Sequence, residues 1–314
     1  SENAHGAGKN AIYHNNAGLS VRPTIKLNVA ANRTITFFDP LENRPYGGLM
    51  SVVKNGVGAV RFDATGYSNT NDRWSPIYAR TQINEGTFEV ANGAIYGMRA
   101  ADVSSSEDST FTMAPSTMLK GGGVTSWLRA DQMMLEGVIF DLAGERLLSP
   151  SGQRNTFRID SKNVSLDGST VVFNTVLDGG SLPNTDKLIF SVNPFSTQTG
   201  PLTGNVAITI HNAGGVGGQT TGDGILLIEA IDGGELDATF TLSGGPITAG
   251  NYEYDLVQSN THVYLQSTRS NGGGGGSKTA AIPTLGTGAL VALVLVLGVV
   301  TLGTTRDKVK WMQV

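Results

Sequence analysis

The chain has no cysteine in 314 residues, which excludes a disulfide framework and any cysteine-bound zinc or iron–sulfur centre, so packing alone must hold it together. Charge is scarce as well. Asp, Glu, Lys and Arg make up 15% of the residues and the formal net charge is −4, a balance that excludes a nucleic-acid partner. Aromatic residues reach only 7%. Among them Trp74, Tyr78 and Trp127 could form a carbohydrate-stacking surface, or fold back over one end of the structure. No Asp-Asp pair and no Gly-x-Ser-x-Gly occurs, and His5, His14, His211 and His262 stand apart in the sequence. The expected catalytic, cofactor-binding and metal-ligating residues are therefore none.

Glycine is plentiful at 42 residues, and it separates apolar runs of four to six residues rich in Val, Ile, Phe, Leu and Thr. These runs predict strands at 24–29, 34–38, 59–63, 86–90, 109–113, 138–142, 156–160, 170–174, 187–192, 205–210, 224–230, 238–242 and 252–257. Only 127–136 could pass for a helix. The irregular spacing, often about 10 to 25 residues, fits either a sandwich or a coil of stacked strands. Two features favour the coil. The stretches 86–93 and 110–123 share one grammar, an alternating strand, a small polar corner and then glycine. Apolar positions without a supply of helices also suit a parallel stack that buries its own interior. Roughly ten turns at about 4.8 Å would give a rod on the order of 50 Å long.

The last forty residues differ in kind. Residues 285–304 carry no charge, and twenty helical residues rise about 30 Å, the thickness of a bilayer's hydrocarbon core. Arg306, Lys308 and Lys310 follow at once. Basic residues stay on the cytoplasmic side, which orients the tail C-terminus in and everything before it out. Ser270, Asn271 and Gly272–Gly276 make a flexible tether. Pro283 blocks backward extension of the helix and presents Ile282, Pro283, Thr284 and Leu285 as an extended segment at the membrane surface. At the other end Ser1–His5 is polar and has no apolar core, which implies a leader already removed or a start downstream of one.

Among the acidic residues, Asp160, Asp167, Asp178 and Asp186 sit beside turn formers and read as turn caps. Gly214–Gly218 and Asp232–Asp237 resemble glycine-rich calcium turns, though without a repeat they read more readily as tight inter-strand turns.

Residues 53–62 (Val-Lys-Asn-Gly-Val-Gly-Ala-Val-Arg-Phe) and 83–97 (Ile-Asn-Glu-Gly-Thr-Phe-Glu-Val-Ala-Asn-Gly-Ala-Ile-Tyr-Gly) resemble the passenger-associated strand repeat of bacterial autotransporters. Residues 186–189, 206–215, 221–230, 240–242 and 249–256 resemble the pertactin-like end of such passengers. The resemblance implies an all-β fold, a right-handed parallel β-helix (solenoid), followed here by a single C-terminal transmembrane helix. An outer-membrane barrel usually follows such a passenger, and the 46 residues after Thr268 are not expected to form one. Instead Ile282-Pro283-Thr284-Leu285, the apolar run and the basic cluster resemble a Gram-negative C-terminal sorting signal, which implies an exosortase-like processing enzyme as partner.

The expected organisation is a β-helix ectodomain over 1–268, strand-repeat-like at 50–123 and pertactin-like at 186–268, then a glycine-rich tether at 269–281. The sorting motif and transmembrane helix occupy 282–305, and 306–314 form a basic cytoplasmic tail. The expected function is a non-enzymatic, self-assembling cell-surface scaffold or adhesin for matrix or envelope architecture. Its expected partners are the bilayer through 285–304, further copies of the chain, and host or matrix polysaccharide. The alternative is a surface-anchored β-helix lyase or hydrolase of polysaccharides.

Overall fold

Alternation decides the architecture. Short segments such as Thr87–Ala91 and Thr110–Met113 bury every second side chain, and polar corners turn the chain so that each segment stacks on one from the previous turn. The structure is a computed structural model. It describes residues 12–14, 24–43, 50–68, 73–77, 79–98, 109–123, 125–143, 154–179, 185–192 and 200–270. The chain divides into two units, Ser1–Ser270 and Asn271–Val314, and every described residue lies in the first.

Three long sheets result. The first face stacks Thr24–Asn28, Ser51–Asn55, Arg80–Ile83, Thr110–Met113, Gln132–Met134, Asn163–Ser165 and Leu202–Thr203. The second stacks Thr34–Phe37, Ala59–Asp63, Thr87–Ala91, Met118–Gly122, Ile139–Asp141, Ser169–Thr175, Asn205–Asn212 and Thr239–Leu242. The third stacks Trp74–Ser75, Ile95–Gly97, Ser126–Arg129, Thr156–Asp160, Lys187–Ser191 and Ile225–Ile231. Pairing within these stacks is parallel throughout. Sequence neighbours lie on different faces, and partners come from successive turns: 28 residues separate Arg61 from Glu89, and 31 separate Arg129 from Asp160. That is a parallel β-coil. The second face holds eight strands among the described residues, about 34 Å at the ~4.8 Å spacing of neighbouring strands.

The interior is built from columns of like residues. On the second face Val60, Phe88, Leu119, Phe140, Val171 and Ile208 are register partners on consecutive turns and all are buried. Aromatic rings fill the centre between faces: Phe88 lies 4.9 Å from Tyr96 and 5.3 Å from Phe111, and Phe140 lies 4.9 Å from Phe157. The Tyr96 hydroxyl is satisfied by Thr81 Oγ1 at 2.9 Å, and burial pushes its pKa far up.

Residues 127–136 are not helical. Ser126–Arg129 and Gln132–Met134 are strands on the third and first faces, joined by a corner at Ala130 and Asp131. Asp131 Oδ2 accepts from both the backbone N–H and the hydroxyl of Ser109, one turn earlier, at 2.8 and 3.0 Å.

Gly97 shows how closely turns approach. Its φ is +109°, and a Cβ there would stand 1.9 Å from the carbonyl oxygen of Arg129 on the next turn. Gly97→Ala is therefore expected to lower stability by at least about 2 kcal/mol, from the left-handed backbone alone before the clash is counted. A shift of the chemical-denaturation midpoint reads this out; an unchanged midpoint would refute the close approach.

At the C-terminal end the pairing reverses. His262–Arg269 runs antiparallel to Ile225–Ile231, Tyr252–Gln258 antiparallel to His262–Arg269, and Ile247–Ala249 antiparallel to Tyr252–Gln258. This antiparallel cap covers the last turn of the third face.

Candidate functional site

On the third face, aromatic and charged side chains of successive turns meet. Trp74 and Trp127 both pair with Ile95, one from each side, so the indoles lie two turns apart. The Arg129 guanidinium sits between them, 5.0 Å from the Trp74 ring and 5.7 Å from the Trp127 ring. Arg158, next on the stack, lies 4.8 Å from the Trp127 ring. Trp74 Nε1 donates to the carbonyl of Gly97 at 2.8 Å. The result is an alternating indole–guanidinium zipper along the coil axis. The indole faces expected to stack on sugar are packed by guanidinium groups of the chain itself, each such contact contributing about 0.5–2 kcal/mol. Tyr78, the third aromatic of that expectation, lies outside the described residues.

Asp160 anchors the zipper. Its carboxylate is wholly buried and receives Arg129 Nε at 2.6 Å on one oxygen and Arg158 Nε at 2.5 Å on the other. Arg158 also reaches Asp232 Oδ2 at 3.0 Å, and the Ser191 hydroxyl donates to that same oxygen at 3.0 Å. Asp160 thus pairs with arginines and does not cap a turn. Asp232, read as a calcium-turn candidate, serves as an arginine partner.

The other acidic positions are structural in the expected sense or close to it. Asp167 Oδ1 accepts from the backbone and side-chain N–H groups of Asn205, both at 2.9 Å, which holds its pKa down. The Asp178 carbonyl accepts from the Tyr254 hydroxyl at 3.1 Å. Asp186 is wholly buried, and its two oxygens accept the backbone N–H of Asn155 at 2.8 Å and of Asn174 at 2.7 Å. Burial pushes its pKa up to about 6 against the opposing pull of those two bonds. The folded chain thus holds this proton more tightly than the unfolded chain, whose carboxyl titrates near 4. Stability from this group is therefore full below about pH 4 and declines as pH rises to about 6, by about 3 kcal/mol in all. Urea midpoints of the wild type at pH 4.5 and 7.0 are expected to differ by more than those of Asp186→Asn. An equal pH dependence in the two proteins would contradict this role.

Glycines 214–218 pack the cap onto the coil. Gly217 N donates to the Leu177 carbonyl at 2.9 Å, and a Cβ on Gly217 would stand 1.9 Å from the Ala249 oxygen. The wholly buried Tyr254 ties three segments together: its hydroxyl accepts from Gly218 N at 2.8 Å and lies 2.8 Å from the Gly218 oxygen and 3.1 Å from the Asp178 oxygen. Sequence reasoning missed this junction, as it missed Lys54. The Lys54 ammonium is buried and donates to the carbonyls of Gly56, Gly58 and Glu85. Burial lowers its pKa while Glu85 pulls it up.

Of the histidines, His211 is exposed at the end of Asn205–Asn212, and His262 stacks on Tyr264 at 5.5 Å with Nδ1 2.8 Å from the Thr261 hydroxyl. His14 ends the short strand Ile12–His14, and His5 lies outside the described residues. Among the described residues no group of three or more His, Asp or Glu is placed to hold a metal ion. Ile282, Pro283, Thr284, Leu285, Arg306, Lys308 and Lys310 all lie outside the described residues, as does the run 285–304. Among the described residues no helix is long and apolar enough to cross a membrane.

The family comparison falls on the capped half of the coil. Residues 137–256 match the family model described as Autochaperone Domain Type 1, so the match runs from the corner before Ile139–Asp141 into the antiparallel cap and includes Asp160, Asp186 and Tyr254. The chain is also 35% identical over 96 residues to the uncharacterized protein YdeU of Escherichia coli (strain K12), an alignment covering 31% of this chain and 18% of that protein. The chain thus matches about a fifth of that relative's length. Over residues 137–256 this β-coil is similar to the autochaperone domain associated with autotransporters, a class of secreted or cell-surface proteins of Gram-negative bacteria.

Proposed function

We propose that the chain is the exported ectodomain of a cell-surface scaffold, serving adhesion, extracellular matrix or envelope architecture, and that its capped C-terminal half acts as the folding template for the turns before it. The coil is right-handed, as parallel crossovers almost always are. Residues 285–304 tether it to a membrane with the C-terminus cytoplasmic, and an exosortase-like enzyme processes it at Ile282–Leu285. The observation carrying this reading is that side chains on the coil's outer faces are spent on joining one turn to the next: Trp74, Arg129, Trp127 and Arg158 on the third face, and Asn28, Asn55 and Asn84 on the first, where the amides donate in sequence at 3.0 and 2.8 Å. Such ladders stiffen a surface and suit a coil that displays a fixed shape.

The templating role follows from the antiparallel cap. Parallel turns close long loops before any pairing rewards them and so form slowly. A local hairpin forms on the microsecond scale and offers an edge on which the next turn can pair.

Assay of the full chain against a panel of acidic polysaccharides tests the scaffold against the enzyme. The scaffold reading expects no turnover. Turnover abolished by Asp167→Asn or Asp178→Asn would overturn it in favour of a lyase or hydrolase.

A further inference from the structure

On the outer side of the second face, Arg61, Glu89, Lys120 and Asp141 are register partners on four consecutive turns. Their signs alternate, plus, minus, plus, minus, at the ~4.8 Å spacing of the stack. Beside them runs a second outward column, Ala59, Thr87, Met118 and Ile139, on the same four turns, with Ile139 39% exposed. Within the chain, Arg61 Nη1 meets Glu89 Oε1 at 2.9 Å. Intrachain pairing requires only that neighbours differ in sign. An even number of alternating charges does something more, because it makes the face its own complement.

We propose that two copies of the chain associate through their second faces, with coil axes antiparallel. A two-fold axis lying in the interface along the strands, between the turns of Glu89 and Lys120, sets Arg61 opposite the partner's Asp141 and Glu89 opposite the partner's Lys120. The same rotation sets small Ala59 opposite the partner's Ile139, and Thr87 opposite the partner's Met118, so that small and large side chains interdigitate. Each contact occurs twice, as in any isologous interface. Parallel coils would place every charge against its own copy, and like charges opposed across an interface are what suppresses a wrong partner. The pattern thereby selects one orientation. Lateral pairing also suits a coil whose third face is closed by the antiparallel cap, since that cap works against open-ended stacking at the C-terminal end. The inference extends the scaffold reading to a mode of assembly, yet it stands on the face alone.

Sedimentation equilibrium of the full chain in density-matched detergent micelles tests it. The wild type is expected to show a concentration-dependent dimer. Glu89→Lys, which sets two positive charges against each other at both symmetry-related positions, is expected to weaken it about tenfold or more. The exchange Glu89→Lys with Lys120→Glu restores opposition of unlike charges between two exchanged copies, while setting a second positive charge beside Arg61 within each chain. It is expected to recover the dimer, whereas mixing exchanged with wild-type chain should not. A purely intrachain role predicts the reverse, with the exchange no better than the single change. Circular dichroism confirms that each variant keeps its strands, and Lys120→Glu alone provides a second single change with the same expected loss. A wild type that stays monomeric at high concentration, or a dimer that the exchange fails to restore, overturns the pairing. A monomer that still shows no turnover on polysaccharides sinks the pairing alone and leaves the scaffold reading intact.

Discussion

Asp160→Ala is expected to destabilise the coil by about 3–5 kcal/mol, the cost of breaking a buried ion pair from one side. Asp160 is wholly buried and faces two guanidinium groups, those of Arg129 and Arg158, at 2.6 and 2.5 Å. Arg129 is itself only 7% exposed. Removing the carboxylate keeps two positive charges close together and takes away the negative charge that offsets both. Asp160→Asn should cost less, because the amide oxygen still accepts one hydrogen bond. Replacing Asp160 and both arginines together by apolar residues of similar volume should recover much of the loss, since a buried network replaced as a whole is often neutral. Chemical-denaturation midpoints of the four proteins measure the series. An Asp160→Ala protein within about 1 kcal/mol of wild type would mean that the network adds little beyond a surface pair.

Tyr254→Ala should cost a similar amount, about 3–5 kcal/mol for the lost ring, with a further penalty for the hydroxyl's partners. Tyr254→Phe isolates that penalty at about 1 kcal/mol, because Gly218 N–H then loses its acceptor in a part-buried setting. Tyr254→Ala and Gly97→Ala differ in what they should do to folding. If the cap templates the coil, Tyr254→Ala slows refolding as well as lowering stability, whereas Gly97→Ala, in the turns before the matched segment, mainly speeds unfolding. Refolding and unfolding rates in urea separate these outcomes. A refolding rate unchanged by Tyr254→Ala would argue against the cap as template.

Strands with strict alternation were legible from sequence. Thr156–Asp160 and Ala59–Asp63 begin and end where the apolar pattern places them. Strands such as Asn163–Ser165 and Leu202–Thr203 were not, because two or three residues carry no period. The helical reading of 127–136 failed for a related reason. Leu128 and Met133 are both buried, but a corner lies between them and each faces the interior from a different sheet, so the apparent helical spacing is that of two strands around a bend.

Side-chain partners were harder still. Asp167 read correctly as a turn residue because it stands at a corner and accepts a backbone N–H, that of Asn205 at the corner of the next turn. Asp160 did not, because it stands in a strand and its partners are arginine side chains brought to it by stacking register: 31 residues separate it from Arg129. For Asp232 the partner is Arg158, 74 residues away. The same holds for the tryptophans, whose separation along the coil is two turns but whose spacing in sequence depends on intervening loops. A coil's interior can be read from one strand at a time; its surface chemistry is written between turns.

Labelling of intact host cells tests most directly whether this coil is a surface scaffold. Cells producing the full chain are treated with a membrane-impermeant amine reagent and the modified lysines are mapped by mass spectrometry. The exposed Lys26 on the first face is expected to be modified before lysis, while Lys308 and Lys310 react only after it. Modification of Lys26 only once the cells have been broken would contradict display outside the envelope.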